Sequence, residues 1–259
     1  MALADAAVFA VVAYALDEAS GNATDGSGHG YTATENGTIG SSTAPAGLGN
    51  SRDFEASDVT DYFSLADNAD ISIGDTDFTL WAWVNIESMS ADRGIIGKWN
   101  EGDGNEYLLY LDATNRFYFF LNNGSNNNVQ ASTFGAPSTA TWYLVVATYT
   151  ASSDTMTIAV GAGGTMGSRD STGSVSGGPR NGANPLTIGR FGGGAWWDGL
   201  IAECGVLKGY ALSTAEESEL YDSGNGIPYS SWAAAPAGQP FYWRDQRPYP
   251  TTASNAYVR

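Results

Sequence analysis

Regular alternation of side chains is the strongest structural signal in this chain. Between residues 77 and 86 every second residue is apolar, so one face of an extended segment would carry Phe78, Leu80, Ala82, Val84 and Ile86. The opposite face would carry Thr79, Trp81, Trp83 and Asn85. A period of two residues predicts a β-strand, because successive side chains of a strand point to opposite faces of its sheet. Both faces are bulky, so we expect this strand to be covered on both sides.

Several other segments predict further strands. They are residues 8–16, 94–98, 106–112, 116–121, 142–149, 155–160, 185–191 and 197–208, with shorter strands near 31–34, 52–55 and 61–65. Residues 112–115 and 151–154 are turn sequences that would join neighbouring strands into pairs. The pattern predicts a core that contains Phe78, Leu80, Val84, Trp142, Val146, Ile188 and Leu200.

One helix is signalled near the end of the strand region. Ser213-Thr-Ala-Glu216 is a capping box, in which the Ser213 hydroxyl accepts a hydrogen bond from the Glu216 N–H and the Glu216 carboxylate binds back. Gly224 supplies a stop signal. After residue 227 the chain becomes rich in proline, aromatic and basic residues. We therefore divide the chain into a β-sandwich of residues 1–227 and a C-terminal arm of residues 228–259.

Five phrases occur along the chain in a fixed order. They are Tyr14-Ala-Leu-Asp-Glu-Ala-Ser-Gly21, Phe78-Thr-Leu-Trp-Ala-Trp-Val84, Thr141-Trp-Tyr-Leu-Val-Val-Ala-Thr-Tyr149, Pro185-Leu-Thr-Ile-Gly189 and Leu212-Ser-Thr-Ala-Glu-Glu217. This ordered set resembles the laminin G-like, concanavalin A-like modules of bacterial and phage surface proteins, from about Phe9 to Tyr221. The resemblance implies an all-β fold, an antiparallel two-sheet jelly-roll sandwich with one short helix, here followed by an extended arm. It implies a scaffold that serves as a binding or display module, and it does not identify a ligand.

Charge narrows the range of partners. The 259 residues carry a formal net charge of −17, which repels nucleic acid and anionic lipid but is compatible with Ca²⁺, basic proteins or neutral sugars. The charge is uneven, because residues 1–231 hold 8 basic and 27 acidic residues, whereas residues 232–259 hold three Arg and one Asp. No apolar stretch is long enough to span a membrane. We expect neither a nucleic-acid partner nor a membrane partner.

Catalytic groups are the first candidate chemistry. Glu101-Gly-Asp-Gly-Asn-Glu106 has the carboxylate spacing of one form of the laminarinase-like glucanase signature. Retaining glycosidases need two carboxyl groups about 5–5.5 Å apart, but Gly102 and Gly104 favour a loop that leaves these carboxylates splayed and solvated. The one histidine, His29, lies in a glycine-rich turn, and the one cysteine, Cys204, is expected to be a buried strand residue. We predict that the protein is not an enzyme.

A calcium site is the second candidate. Asp25-Gly-Ser-Gly28 resembles the Asp-x-Ser-Gly turn of the family, in which an Asp and nearby carbonyls join acidic residues of a late strand. The late family phrase Gly-x-Ile-Asp-Glu is Gly199-Leu-Ile-Ala-Glu203 here, so Glu203 matches but the preceding Asp is replaced by Ala202. Asp25 and Glu203 are therefore the candidate Ca²⁺ ligands, since hard cations take carboxylate and carbonyl oxygens. The alternative is an Asx turn at Asp25 and an ordinary strand residue at Glu203.

Aromatic residues form the third candidate site. Sugar sites use flat aromatic faces beside polar groups. Two adjacent Trp follow the Gly192-Gly-Gly-Ala195 loop, and neighbouring strand residues face opposite ways, so we expect Trp196 to be the exposed one of the pair. Trp196 and Trp99 are the candidate carbohydrate-binding residues for a polysaccharide ligand. The alternative is ordinary packing inside the sandwich.

The C-terminal arm is a candidate docking segment. Aromatic and Arg side chains anchor interfaces, and the arm supplies Phe241, Tyr242, Trp243, Arg244, Arg247 and Tyr249. A basic arm beside an acidic body would bind another copy of the chain, giving a homo-oligomer, or a carrier protein such as a capsid.

Two settings are consistent with these features. We hypothesise a structural and binding module on a virion surface, as a decoration or fibre protein, because the N-terminal apolar stretch is interpreted as the first strand rather than a removed leader. The alternative is a carbohydrate-binding module of a bacterial extracellular or cell-surface protein whose leader lies outside this chain.

Overall fold

The strands expected from alternation form two antiparallel sheets in the computed structural model, which describes residues 3–100, 102, 104–173 and 175–232. In chain order the elements are α1 (Leu3–Ala7), β1 (Ala10–Tyr14), β2 (Thr34–Asn36), β3 (Gly40–Thr43), β4 (Asn50–Phe54), β5 (Tyr62–Leu65), β6 (Phe78–Ile86), β7 (Arg93–Gly97), β8 (Tyr107–Leu111), β9 (Phe117–Asn122), β10 (Asn126–Gln130), β11 (Trp142–Thr150), β12 (Thr155–Ala162), β13 (Thr165–Met166), β14 (Asp170–Thr172), β15 (Leu186–Ile188), β16 (Arg190–Phe191), β17 (Ala195–Trp196), β18 (Gly199–Lys208), α2 (Thr214–Tyr221) and α3 (Tyr229–Trp232).

The larger sheet has nine strands. Its order is β13-β12-β11-β6-β18-β4-β3, with β1 paired to β18 and β14 paired to β12. The second sheet has seven strands in the order β10-β9-β8-β7-β15-β5-β2. A separate two-stranded hairpin consists of β16 and β17. The central pairings of both sheets are antiparallel, which confirms the predicted fold class.

The central strand β6 confirms the prediction from alternation. The five residues predicted to share one face all belong to the apolar cluster between the two sheets: Phe78, Leu80, Ala82, Val84 and Ile86. Trp81 and Trp83 face the other way and belong to a second cluster on the outer side of the nine-stranded sheet. This strand is therefore buried on both faces, as its bulk on both sides indicates.

Two of the predicted core residues are placed differently. Trp142 and Leu200 are only half-buried, so the prediction is wrong for both. Trp142 is the first residue of β11 and packs against the edge of the outer cluster. Ile201 points into the core, and its neighbour Leu200 therefore faces outward.

Helix α2 begins at the predicted capping box. The Ser213 Oγ accepts a hydrogen bond from the Glu216 N–H, and Glu216 Oε2 accepts one from the Ser213 N–H at 2.7 Å. The helix ends at Tyr221 because Asp222 takes a left-handed conformation with a φ of 42°. The left-handed residue that ends the helix is therefore Asp222, two residues before the predicted stop signal at Gly224.

Three short helices cover the outer face of the nine-stranded sheet. The Tyr221 ring of α2 lies on the Trp83 ring with centroids 5.4 Å apart, and Trp232 of α3 lies 5.1 Å from Trp81. Leu3, Ala6 and Ala7 of α1 complete this cluster. Helices α1 and α3 add to the single helix expected from the sequence.

The start of the proposed C-terminal arm lies against this face. Tyr229 donates a hydrogen bond from its hydroxyl to the Ala7 carbonyl, 2.9 Å away. Residues 233–259, which contain all six candidate docking residues of the arm, lie outside the described residues. Within the described part of the chain, no helix is long and apolar enough to cross a membrane.

Candidate functional site

The hairpin β16–β17 lies across the outer face of the seven-stranded sheet and divides it into two parts. It crosses strand β7 at Gly94, where a Cβ atom would lie 2.3 Å from the Arg190 carbonyl carbon. Only glycine leaves room for this crossing, because real Cβ atoms do not approach other heavy atoms so closely. Gly189 precedes the hairpin with a φ of 85°, a conformation that favours glycine. Two glycines thus hold the hairpin on the sheet.

An aromatic surface lies on the β8–β9 side of the hairpin. We call it the Trp99 patch, and it consists of Trp99, Tyr110, Tyr118, Phe120 and Phe191. The rings contact one another edge to face or stacked, with centroids 5.2 Å apart for Tyr110 and Phe191 and 5.6 Å apart for Trp99 and Phe120. All five side chains are half-buried, so each keeps part of its surface open to solvent.

A cavity adjoins the patch. It has a volume of about 420 Å³ and is lined by Trp99, Asn100, Gly102, Asn105, Phe191, Gly192, Gly193, Gly194 and Ala195. The Asn105 Oδ1 accepts hydrogen bonds from the Asn100 N–H at 2.9 Å and from the Asn184 side-chain amide at 3.0 Å. Aromatic rings therefore lie next to side-chain amide groups, which is the combination expected for a sugar site.

A buried ion pair joins the chain neighbours of the cavity residues Trp99 and Asn105. Lys98 and Glu106 are fully buried, and the Lys98 Nζ lies 2.5 Å from Glu106 Oε1. Lys98 also pairs with Asp67 and donates to the Gly182 carbonyl, while the Gly182 N–H donates to Glu106 Oε1 at 3.0 Å. The network fixes the loop around Gly182 beside the cavity.

This placement changes the interpretation of the glucanase-like segment. The expectation of a splayed, solvated carboxylate is wrong for Glu106, because Lys98 draws it into the protein. Glu101 and Asp103 lie outside the described residues.

The second half of the outer face carries a different group of side chains. We call it the Arg190 cluster, and it consists of Tyr62, Arg190 and Trp196. The guanidinium carbon of Arg190 lies 4.0 Å from the Tyr62 ring centroid and 5.1 Å from that of Trp196. Trp196 is half-buried whereas Trp197 is 1% exposed.

The structure separates the two predicted carbohydrate-binding residues. Trp99 packs against Phe120 of β9, whereas Trp196 of the hairpin packs against Tyr62 of β5. Sequence reasoning missed Tyr110, Tyr118, Phe120 and Phe191. The first three could have been found by continuing the alternation along residues 106–112 and 116–121, which places them on the outer face of the sheet.

Asp25, the first predicted calcium ligand, already has several donors. Its carboxylate accepts hydrogen bonds from the backbone N–H groups of Ala13, Ser27 and Tyr31 at 2.9–3.1 Å and from the Ser27 hydroxyl at 2.8 Å. The bond to the N–H two residues on is that of an Asx turn. Donors of this kind compete with a cation for the same oxygen lone pairs.

Glu203, the second predicted ligand, faces a separate cavity of about 230 Å³ that Asp17 and Glu18 also line. A bulge in β18 with a φ of 38° at Glu203 directs its side chain there. Glu203 is 4% exposed, and burial raises its pKa to about 7. The Tyr229 N–H donates to Glu203 Oε2 at 3.1 Å, and Oε1 has no hydrogen bond with a described residue. The buried Glu18 Oε2 has none either.

A second acidic cluster consists of Asp53, Glu55 and Glu87, whose carboxylate oxygens lie within 4.8 Å of one another. Burial raises the pKa of each of these carboxyl groups, and repulsion from the nearby Asp198 carboxylate raises each of these pKa values further. Cys204 is fully buried, as predicted, and burial raises its thiol pKa well above the usual range.

Family comparison agrees with the architecture. A laminin G-like family model, described as the concanavalin A-like lectin/glucanases superfamily, matches residues 57–216, which is more than half of the chain. No curated protein sequence matches the chain.

Solved structures share the fold at low sequence identity. The binding domain of Paraclostridial Mosquitocidal Protein 1 superposes with a TM-score of 0.63 at 13% identity, covering 84% of this chain and 53% of that chain. A botulinum neurotoxin type C structure concerned with cell entry through two ganglioside molecules gives 0.63 at 14%, covering 85% and 52%. Domain 4 of the arabinanase AbnA from Geobacillus stearothermophilus, in complex with arabinotriose, gives 0.55 at 16%, covering 81% and 97%. The chain thus spans about half the length of the two toxin chains.

Proposed function

Because the chain belongs to the concanavalin A-like lectin/glucanases superfamily, we propose that it is a non-catalytic module that binds carbohydrate through the Trp99 patch and the adjoining cavity. One observation carries the proposal. The aromatic rings on the outer face of the seven-stranded sheet remain partly open to solvent, whereas Trp81 and Trp83 on the outer face of the other sheet are fully covered.

The chemistry of the surface fits a sugar. A pyranose ring has an apolar face of C–H groups that packs on an aromatic ring, and its hydroxyl groups need hydrogen-bond partners at the edge. Trp99 and Phe191 supply rings, and the Asn105 and Asn184 amides supply polar groups beside them. The relatives described with arabinotriose or gangliosides support the same ligand class. A role as an extracellular or surface-exposed module follows from such a ligand.

The absence of catalysis is part of the proposal. Glu106 is the described carboxylate of the glucanase-like segment, and its ion pair with Lys98 keeps it from contacting a bound sugar. Release of reducing ends from β-glucans that is lost in Glu101→Gln would contradict this point.

A glycan array with the whole chain, followed by calorimetry on the glycans that bind, tests the proposal. Trp99→Ala should weaken binding about tenfold or more, because a central aromatic anchor contributes at least this much. Trp142→Ala is the matched control, since Trp142 is also half-buried but packs at the outer side of the other sheet. Binding that is unchanged in Trp99→Ala, or absent for every glycan, would overturn the proposal.

We also propose a Ca²⁺ site in the cavity of Asp17, Glu18 and Glu203. The unpaired oxygens of Glu18 and Glu203 fit a hard cation. This proposal keeps Glu203 from the sequence prediction and replaces Asp25 by Glu18. The ion would offset the cost of burying these charges.

Millimolar Ca²⁺ should raise the melting temperature relative to EDTA. Glu18→Gln should abolish this rise and Glu87→Gln, in the other acidic cluster, should preserve it; no rise in the unaltered protein would remove the site.

Attachment to a virion or carrier remains the proposed role of the C-terminal arm. It is supported by the basic and aromatic composition of residues 233–259 beside an acidic body. A truncated chain ending at Trp232 should stay folded and monodisperse but should no longer join particles or oligomers. Unchanged assembly of that truncated chain would exclude the arm as the docking segment.

A further inference from the structure

Arg190 differs from the other arginines that hold the sandwich together. Arg52, Arg93 and Arg169 each form an ion pair with a carboxylate. The Arg190 guanidinium has neither a hydrogen bond nor an ion pair with any described residue, and its Nε is buried without a partner. Acidic side chains outnumber basic ones in this chain of net charge −17, and yet none of the described ones forms an ion pair with Arg190.

The aromatic rings of the Arg190 cluster hold this guanidinium in place. The guanidinium carbon lies over the Tyr62 ring, 4.0 Å from its centroid, and 5.1 Å from the Trp196 centroid, and the two rings meet edge to face with centroids 5.8 Å apart. Stacking uses the face of the planar group and leaves the Nη1 and Nη2 groups, which unlike Nε are not buried, free to donate. Such a pre-oriented edge matches a carboxylate, which accepts two parallel hydrogen bonds from one guanidinium.

The cluster is continuous with the proposed sugar surface. Arg190 and Trp196 pair across the β16–β17 hairpin. Their chain neighbours Phe191 and Ala195 line the cavity beside Trp99. A glycan that lies on the Trp99 patch can therefore extend over the hairpin and place a neighbouring sugar at Arg190.

We propose that Arg190 binds the carboxylate of an acidic sugar, a uronic or a sialic acid, within the glycan held by the Trp99 patch. This inference rests on the proposed function. The negative charge of the whole protein repels an anionic chain at long range, so selectivity for the acidic sugar has to come from this direct contact. Trp196 would pack against the apolar face of the same sugar.

Matched pairs of oligosaccharides test the inference by calorimetry. One pair is oligogalacturonate and its methyl ester, and the other is sialyllactose and lactose, so the two arms distinguish uronic from sialic acid. In at least one pair the unaltered protein should bind the acidic member about tenfold or more tightly, as expected for hydrogen bonds between charged groups. Arg190→Gln should abolish this preference and leave the affinity for the neutral member unchanged.

Two further variants separate binding from structure. Arg190→Lys should keep part of the preference, since it keeps the charge but loses the paired donors. Arg116→Gln is the control, because Arg116 lies on the turn before β9 and contacts the Asn115 carbonyl. Equal binding of acidic and neutral members, or a preference that survives in Arg190→Gln, would overturn the inference while leaving the Trp99 site intact. Binding to no glycan would overturn both.

Discussion

The outer faces of the two sheets carry similar aromatic residues, but one face is covered by helices and the other stays partly open to solvent. On the nine-stranded sheet, Trp81 and Trp83 are fully covered by helices α1, α2 and α3. On the seven-stranded sheet, Trp99 and Tyr110 lie beside a short hairpin that covers only the middle of the face, and both remain half-buried. One face thus belongs to the folded core, and the other is a surface with aromatic rings available to a ligand.

Aromatic content alone does not distinguish a core from a binding surface. Trp83 is stabilised by the Tyr221 ring, and Gly161 lets that ring approach, since a Cβ there would lie 2.4 Å from Tyr221. The rings of the Trp99 patch contact one another instead. Covered rings stabilise the fold, whereas rings left open retain apolar area whose burial can drive binding.

The largest expected effect comes from the covered face. Trp83→Ala should lower the free energy of unfolding by about 3–5 kcal/mol, because it leaves a cavity beneath Tyr221. Trp99→Ala on the open face should lower it by less than about 1.5 kcal/mol, since its ring is already partly hydrated. Urea denaturation of both variants measures the difference. Equal losses would mean that the Trp99 patch is a part of the core.

The hairpin on the open face can be displaced without touching an aromatic ring. Gly94→Val should cost about 1–3 kcal/mol, because its side chain would collide with the backbone at Arg190. Glycan affinity should fall at the same time, because the cavity loses its hairpin wall. Gly173→Ala is the control, since nothing lies within 4 Å of a Cβ at that position and Gly173 does not line the cavity. Unimpaired glycan binding in Gly94→Val would show that the hairpin does not form the site.

Glu203 carries a buried carboxylate close to the covered face. Its pKa of about 7 lies above the ordinary 4.5, so the folded state at pH 8 bears the cost of an ionised, buried carboxylate. Glu203→Gln in EDTA at pH 8 should raise the free energy of unfolding by roughly 1–3 kcal/mol. The same variant should lose the stabilisation by Ca²⁺. A lower stability in EDTA would mean that the carboxylate itself holds the fold together.

The smallest effect is expected at the polar edge of the open face. Gln130 donates a hydrogen bond from Nε2 to the Tyr118 hydroxyl at 2.7 Å, and both side chains are half-buried. Tyr118→Phe should change the free energy of unfolding by less than about 1 kcal/mol, because water replaces the lost partner. Thermal melting measures this change. A loss above that range would place Tyr118 among the residues that stabilise the sandwich.

The strand pattern was predictable because it depends on local chemistry. Alternation along residues 78–86 gave both the strand and its two buried faces, and Ser213 with Glu216 gave the start of α2. Trp142 and Leu200 were misplaced because alternation identifies which residues share a face but does not tell how far a strand end is covered.

The candidate site was only partly predictable. Trp99 was identified from its residue type alone. The pairing of Trp99 with Phe191 and of Arg190 with Tyr62 required the hairpin to fold onto β7, which joins residues that lie far apart along the chain. Burial of Glu106 likewise required Lys98 from the neighbouring strand.

The sequence by itself determined the fold class, the central strand and the capped helix, since periodicity and capping act over a few residues. Only the tertiary structure decided which aromatic face is covered and which is open. It also decided that the Asp25 carboxylate is used by its own turn, whereas Glu203 faces Glu18. These outcomes depend on which surfaces meet when the sheets and helices pack, and no local pattern encodes that choice.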